Sequence, residues 1–177
     1  LARPPACWPF FLTRIFQRAY ILHVSNVRRA VEPTGGRWAA AIRTPAHIWA
    51  MEKHLLLMED LEPGDRVTEY RLDQEFHQMI ADATRNPVVP LMMQPVYALI
   101  PRIRGLVHAH APEARGKEVE EYRRILQAIR LRDEDAAYHE MQFHISNAAQ
   151  QANAVVDALD AEAATKVSGA TDTRSTQ

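Results

Sequence analysis

The fold is decided by residues 72–89, which read LDQEFHQMIADATRNPVV. Apolar side chains recur here at the three- and four-residue spacing of one helix face, at Phe76, Ile80 and Ala83. Asp65 upstream is typical of a helix N-cap, and Asn86-Pro87 is typical of the start of another helix. The pattern therefore predicts a helix from Asp65 to about residue 83, followed by a new helix after Asn86-Pro87.

Upstream of this stretch, two more helices are predicted. An apolar series from Tyr20 to Val31 has helical spacing and weakens at Pro33. Thr44-Pro45 combines a capping hydroxyl with a proline at the first helical position, which predicts the start of a second helix that ends near Leu61.

Downstream, the helix after Asn86-Pro87 contains Pro95 and Pro101, which should kink it or break it into short pieces. Two further helices are predicted over 117–130 and 135–152, and no alternating β pattern of useful length is present. The sequence therefore predicts an all-α protein, an antiparallel helical bundle of six or seven helices.

The composition limits the class of protein. Its 177 residues suit one domain, and 47% hydrophobic with 24% charged residues excludes a wholly disordered chain. The single Cys7 excludes a disulfide framework, and the net charge of −1 argues against a nucleic-acid-binding surface on this stretch. No apolar run reaches the roughly 18 residues that a membrane span needs. The first residue is Leu1 rather than methionine, so we expect a piece of a longer protein.

Three regions follow from these patterns: a linker with the start of the first helix (1–19), a helical bundle (20–152) and a C-terminal extension (153–177). Residues 163–177 are polar and aperiodic, so we expect a disordered tail there.

Three ionisable side chains lie on apolar helix faces. Asp73 and His77 are four residues apart and share the face of the Phe76 helix, and His144 lies beside Met141 on the last helix. Buried charges need a partner or a cation, and a carboxylate with imidazoles suits Zn, Ni or Mn. The spacing also fits a local Asp73–His77 salt bridge and an ordinary hydrogen-bonded core histidine.

The chain resembles the FadR-type C-terminal (FCD) domain of GntR-superfamily transcription regulators. LDQEFHQMIADATRNPVV is similar to its D-x-x-F-H…N-P signature, and EYRRILQAIRLRDEDAAYHEMQFHI is similar to its last two helices. VRRAVEPTGGRWAAAIRTP resembles its first helix, and RPPACWPFFL resembles the linker that follows the winged helix in some members. The motifs occur in the family's order over about residues 3–149.

This resemblance implies an effector-sensing domain that binds a small organic or sugar acid and forms a homodimer. It would control DNA binding by an N-terminal winged helix-turn-helix that is not present in this chain. Such a regulator is expected to be cytoplasmic, not membrane-bound and not an enzyme. In many members one Asp and three His hold a divalent metal on which the effector docks.

Asp73, His77 and His144 match three of those four ligands, and Tyr122 stands where the family has its remaining His. A phenol is a poor metal ligand, because its pKa of about 10 favours keeping the proton. Two arrangements follow: an open three-ligand site for Zn, Ni or Mn, or a metal-free pocket in which Asp73 accepts the proton of Tyr122.

Arg28 matches the family's inward arginine, which makes it the predicted anchor of the effector carboxylate. The alternative is a simple ion pair between Arg28 and Glu32 one turn later. Arg102 and Arg104, beside the predicted proline break, are weaker candidates for ligand binding.

A small metal-dependent enzyme that uses Asp73, His77 and His144 is the alternative function. The sequence has no His-Glu-x-x-His motif, no Gly-rich phosphate loop and no Gly-x-Ser-x-Gly elbow. The prediction is therefore a ligand-sensing regulator.

Overall fold

The computed structural model describes residues 8–62, 64–110 and 114–172. Over these residues the chain is helical and has no strand. The seven helices are α1 (Trp8–Ile42), α2 (Pro45–Glu59), α3 (Arg66–Ala83), α4 (Val88–Tyr97), α5 (Ile100–His110), α6 (Ala114–Leu131) and α7 (Glu134–Asp172). The predicted all-α bundle is confirmed. The ends of the predicted linker and tail, 1–7 and 173–177, lie outside the described residues.

Polar caps begin three of these helices where the sequence predicted them. The Thr44 hydroxyl accepts a hydrogen bond from the amide of His47 at 3.3 Å, and Pro45 is the first residue of α2. Asp65 accepts in the same way from the third residue of α3 at 3.1 Å. The Asn86 side chain accepts from the first amide of α4, also at 3.1 Å. These local bonds satisfy amides that have no partner inside the helix.

The predicted proline break lies at residues 98 and 99, between α4 and α5. Pro95 remains inside α4, whereas Pro101 is the second residue of α5, where its missing amide hydrogen has no intrahelical partner to lose. Across the break, Met93 and Tyr97 of α4 and Ile100 of α5 remain in one buried cluster with Val24 of α1.

Two helices are longer than predicted. α1 continues through Pro33 to Ile42, because both flanking turns are buried and their packing outweighs one lost hydrogen bond. The predicted end of the last helix at residue 152 is also wrong. α7 continues to Asp172, so the expected extension beyond residue 152 begins as helix with Val155 and Val156 buried, and the tail expected from residue 163 is helical as far as residue 172.

α1 packs along α7, and α3 and α6 complete the centre of the bundle. The main core draws on α1, α2, α3, α6 and α7. Its buried members include Ala39, Ala40, Met51, Leu55, Phe76, Ile80, Ile125, Ile129, Met141 and Ile145. Two smaller apolar clusters lie between α1 and the α4–α5 pair, and between α1, α5 and the second half of α7. None of the described helices has an apolar stretch that could cross a lipid bilayer.

Candidate functional site

Four side chains predicted to face one interior lie together in the bundle. Asp73 and His77 come from α3, Tyr122 from α6 and His144 from α7, and each is at most 3% exposed. His77 Nε2 lies 3.3 Å from His144 Nε2 and 4.0 Å from Asp73 Oδ1. One ligand atom from each of Asp73, His77 and His144 lies within 4.8 Å of the other two. The role of these residues as metal ligands stays a prediction.

Charged neighbours assign the protons of the two imidazoles. His144 Nδ1 lies 2.7 Å from Glu121 Oε2, and because a carboxylate only accepts, Nδ1 donates and Nε2 carries the lone pair. His77 Nε2 lies 3.0 Å from Arg28 Nη2, and because a guanidinium only donates, this Nε2 is also an acceptor. His77 Nδ1 lies 2.6 Å from Glu32 Oε2, although the contact is too bent for a hydrogen bond. Two lone pairs therefore face each other at the centre.

Asp73 is held by a tyrosine and an arginine. Its Oδ1 accepts hydrogen bonds from the Tyr122 hydroxyl and from Arg104 Nη2, and Arg104 Nη1 donates to Glu118. Burial raises the pKa of Asp73, but the surrounding positive charges, Arg104 foremost, together with the Tyr122 hydrogen bond outweigh burial and hold this pKa well below its usual range. Burial and the Asp73 charge raise the pKa of Tyr122 well above its ordinary value. The phenol thus keeps its proton and donates a hydrogen bond to Asp73, as in the metal-free arrangement predicted above.

Arg28 forms the ion pair that the sequence offered as an alternative to effector binding. Its Nε donates to Glu32 Oε1 at 2.5 Å, and its Nη2 lies 3.4 Å from Oε2 of the same carboxylate. Burial raises the pKa of Glu32, but the Arg28 charge and hydrogen bond, together with the contact to His77, outweigh burial, and the pKa falls to about 2. The same guanidinium reaches His77, so Arg28 belongs to the cluster as well as to the pair.

The buried cluster contains more carboxylates than arginines. Glu32, Asp73, Glu118 and Glu121 are each at most 5% exposed, and they are accompanied by two buried arginines. Burial also lowers the pKa of His144, which favours the neutral imidazole, and the Glu121 hydrogen bond opposes this only in part. With neutral histidines the excess is two negative charges. Burial raises the pKa of Glu118 although the Arg104 charge opposes this. If Glu118 is protonated, the excess falls to one negative charge.

A divalent cation fits this arrangement. It would offset the excess negative charge and would accept the two lone pairs that face each other at 3.3 Å on His77 and His144. Each of these imidazoles also has a carboxylate beside its other nitrogen, which is the usual setting of a histidine that binds a metal. Against this, Asp73 Oδ1 already accepts two hydrogen bonds. His144 Nε2 fits a metal without change, whereas His77 Nε2 would have to give up its hydrogen bond from Arg28, and Asp73 would share Oδ1 with Arg104 and Tyr122.

A narrow cavity opens beside the cluster. Its polar end is formed by Arg28, Asp73, Arg104, Glu118 and His144, and its walls include Val24, Ile100, Ile103, Val107 and Ile145. Gln151 also lines it, and its Oε1 is buried with no hydrogen-bond donor among the described residues. The cavity therefore combines a charged end with hydrocarbon walls.

Of the two arginines beside the proline break, the structure brings Arg104 to the site and leaves Arg102 away from it. Arg102 is exposed and lies over the Tyr20 ring at 5.2 Å, so its predicted place among the ligand-binding residues is not supported. Two residues turn a helix by about 200°, and Arg104 therefore faces inward. The signal for Arg104 was its spacing of four from Ile100 and three from Val107, which puts it on the buried stripe.

Two glutamates were missed in the sequence. Glu118 and Glu121 lie on the inward face of α6, four residues and one residue before Tyr122, and the sequence analysis gave neither of them a role. Glu121 is fixed by two contacts, since it accepts from His144 and from the Asn147 amide at 2.7 Å. Spacing shows that these residues face inward, but it does not show which partners make their burial tolerable.

Comparison with known proteins places these features in a family. A family profile described as FCD domain matches residues 23–147, more than two thirds of the chain. Among solved structures, the fold is similar to Streptococcus agalactiae GntR, with TM-score 0.65 and 22% identity over 76% of this chain and 60% of that chain. It is also similar to E. coli McbR/YncC, with TM-score 0.64 and 17% identity over 77% of this chain and 67% of that chain. A comparison with curated protein sequences finds no match.

Proposed function

The chain belongs to the FCD-domain family, and on that premise we propose that it is the effector-sensing and dimerisation domain of a GntR-family transcription regulator. In this proposal a small carboxylate binds in the bundle and changes the activity of a winged-helix DNA-binding domain on its N-terminal side. The observation that carries the proposal is the cavity whose polar end holds Arg28 and His144, with His77 in contact with Arg28 behind it. A buried guanidinium recognises a carboxylate by charge-assisted, two-point hydrogen bonding.

The cavity walls indicate the chemistry of the effector. The side chains around the polar end are aliphatic, at Val24, Ile100, Ile103, Val107 and Ile145. A hydrocarbon body packs against such walls, whereas the several hydroxyl groups of a sugar acid would find few replacements for water there, since Ser25 and Gln151 are the polar lining residues beyond the charged end. Within the organic and sugar acids implied by the resemblance, we therefore propose an organic acid with an apolar body.

A divalent metal is part of the proposal. Asp73, His77 and His144 would hold Zn, Ni or Mn, with Tyr122 hydrogen-bonded to Asp73 instead of acting as a ligand. When bound, the ion supplies a positive Lewis-acid centre for the effector carboxylate. The excess of buried acids over arginines supports this part of the proposal.

A thermal-shift experiment tests effector binding. Butyrate is expected to raise the melting temperature by mass action, and gluconate at the same concentration is expected to raise it less. Arg28→Ala should abolish the butyrate shift measured against its own baseline. Arg102→Ala is the matched control, because Arg102 is exposed and lies away from the cavity. A butyrate shift that survives in Arg28→Ala, or that disappears equally in Arg102→Ala, contradicts the proposed anchor.

Metal analysis of protein purified without chelator, followed by calorimetric titration with Zn²⁺, Ni²⁺ and Mn²⁺, tests the metal separately. His144→Ala should lower the affinity for whichever ion binds, whereas His139→Ala should not, since His139 is exposed on the same helix. Equal affinities for these two variants would remove His144 from the site.

Dimerisation is proposed through the exposed face of α4. Val88, Leu91 and Met92 are each more than half exposed and lie on one face at helical spacing. Contiguous apolar groups on a helix surface are typical of protein–protein contacts. A regulator that reads two DNA half-sites needs two copies, and a two-fold contact uses the same surface of each.

The alternative of a metal-dependent enzyme has less support. A hydrolytic centre needs a free general base next to the metal-bound water. The nearby carboxylates are engaged: Glu32 pairs with Arg28, Glu121 accepts from His144 and Glu118 accepts from Arg104. We therefore propose that the site binds an effector without turning it over.

A further inference from the structure

The lone pair of His77 Nε2 has two competing partners. In the structure it accepts a hydrogen bond from Arg28 Nη2 at 3.0 Å. It also lies 3.3 Å from His144 Nε2 and 4.0 Å from Asp73 Oδ1, so the same lone pair faces the place where a shared cation would lie. One lone pair serves either a guanidinium or a metal ion. Arg28 and a cation therefore compete directly for His77.

The contacts of Arg28 also limit its own availability. Its Nε and Nη2 are used by Glu32, and Nη2 is used by His77 as well, while Nη1 takes no part in these bonds. Two-point binding of a carboxylate across the end of a guanidinium needs hydrogens from both Nη1 and Nη2. As long as Nη2 donates to His77, this end of Arg28 is only half available to a carboxylate.

We infer that Arg28 couples cation binding to carboxylate binding at this site, by donating to His77 Nε2 until a cation takes that lone pair. Release from His77 frees the Nη1–Nη2 end of Arg28 beside a new positive charge, and a carboxylate then binds both. This inference rests on the proposed function, because it uses the same ligands and the same anchor. It adds that neither the cation nor the carboxylate binds at full strength alone.

Electrostatics acts in the same direction. A cation bound by His77 lies close to the buried Arg28 charge, and the two repel each other in a poorly screened interior. A carboxylate between them neutralises the repulsion. By thermodynamic linkage, the factor by which a carboxylate strengthens cation binding equals the factor by which the cation strengthens carboxylate binding.

Calorimetric titration of Zn²⁺ in the absence and presence of saturating acetate measures this coupling. For the unmodified chain we expect acetate to lower the Zn²⁺ dissociation constant about fivefold or more. Arg28→Met should bind Zn²⁺ about tenfold more tightly without acetate, because the competing charged hydrogen bond is gone, and should show no acetate effect. Arg28→Lys keeps a charge beside Glu32 but lacks the fork, so it tests the coupling if Arg28→Met folds poorly. Arg102→Met is the matched control and should behave like the unmodified chain.

The outcomes separate this inference from the proposed function. Zn²⁺ binding that is unchanged or weaker in both Arg28 variants, or an acetate effect that persists in them, overturns the coupling and leaves the metal site standing. Absence of Zn²⁺ binding in the unmodified chain and in both variants overturns the metal site and the coupling together. Tighter, acetate-independent binding in the Arg28 variants alone supports the inference.

Discussion

Gly36 lies where α1 packs on α7, and adding one methyl group there tests how closely these two long helices approach. A Cβ atom at Gly36 would lie 3.0 Å from the backbone oxygen of Ala137 and 3.6 Å from Met141 Cβ. At the neighbouring Gly35, the nearest atom to an added Cβ would be Thr84 Cγ2 at 4.0 Å, which is ordinary van der Waals contact. The two glycines are both buried in the same helix and thus form a matched pair.

The magnitude follows from the comparison of Gly36→Ala with Gly35→Ala. Either substitution replaces glycine by alanine inside a helix, which by itself favours folding by about 0.5–1 kcal/mol. This gain is common to both variants and cancels in their difference. Only Gly36→Ala forces a backbone oxygen of α7 to move by a few tenths of an ångström, and such overpacking costs about 1–3 kcal/mol. We therefore expect Gly36→Ala to be less stable than Gly35→Ala by about that amount.

Urea denaturation followed by far-UV circular dichroism measures this difference, with the unmodified chain as the reference. A lower midpoint for Gly36→Ala at an unchanged m-value reports stability and not a change in the unfolded state. If the Gly36→Ala variant proves as stable as the Gly35→Ala variant, or more stable, the close packing of α1 on Ala137 is refuted.

Three further outcomes are expected. Leu91→Glu on the exposed face of α4 should convert a dimer to a monomer in sedimentation velocity, whereas Val67→Glu, on the exposed side of α3, should not. The pKa of His144 is lowered on folding, so the unfolded chain binds this proton more tightly than the folded bundle. In urea denaturation the metal-free protein should therefore be most stable above about pH 6.5 and lose stability as pH falls below it. His144→Gln should flatten this pH dependence, whereas His139→Gln, at an exposed position, should not. Tyr122→His should raise the Zn²⁺ affinity in calorimetry by adding a third imidazole, and an unchanged affinity would show that this position cannot reach the ion.

Helix positions could be predicted wherever a local signal sets them. The first amides of a helix have no partner inside it. The side chains of Asp65 and Thr44 accept hydrogen bonds from such amides, and Pro45 has no amide hydrogen to satisfy, so α3 begins after Asp65 and α2 begins at Pro45. Pro33 carries a local signal of the opposite kind, yet α1 passes through it because α7 covers both flanking turns. Tertiary packing of this sort is absent from the local pattern, and the same reason explains why α7 extends past residue 152.

At the site, helix periodicity predicted which side chains face inward but not their partners. Asp73, His77, Tyr122 and His144 each lie on an apolar stripe, and the structure buries all four. The pairing of Asp73 with Arg104 depends on how α5 lies against α3 after the break at residues 98 and 99, which no spacing within either helix encodes. The packing of the bundle therefore determines which ion pairs form, and the sequence of a single helix cannot predict them.

The buried acids connect the stability of this bundle to its occupancy. A core of the same volume built from apolar side chains would avoid the desolvation of Glu32, Glu121 and their partners, so the charged cluster is not there for stability. With its two guanidiniums against four carboxylates, the cluster remains short of positive charge. A cation that offsets this excess of negative charge binds the folded bundle more tightly than the unfolded chain, and stabilises it by mass action. A site that is unfavourable when empty therefore gives the largest change in free energy on filling, which is what a sensor needs to shift the balance between two states of a regulator.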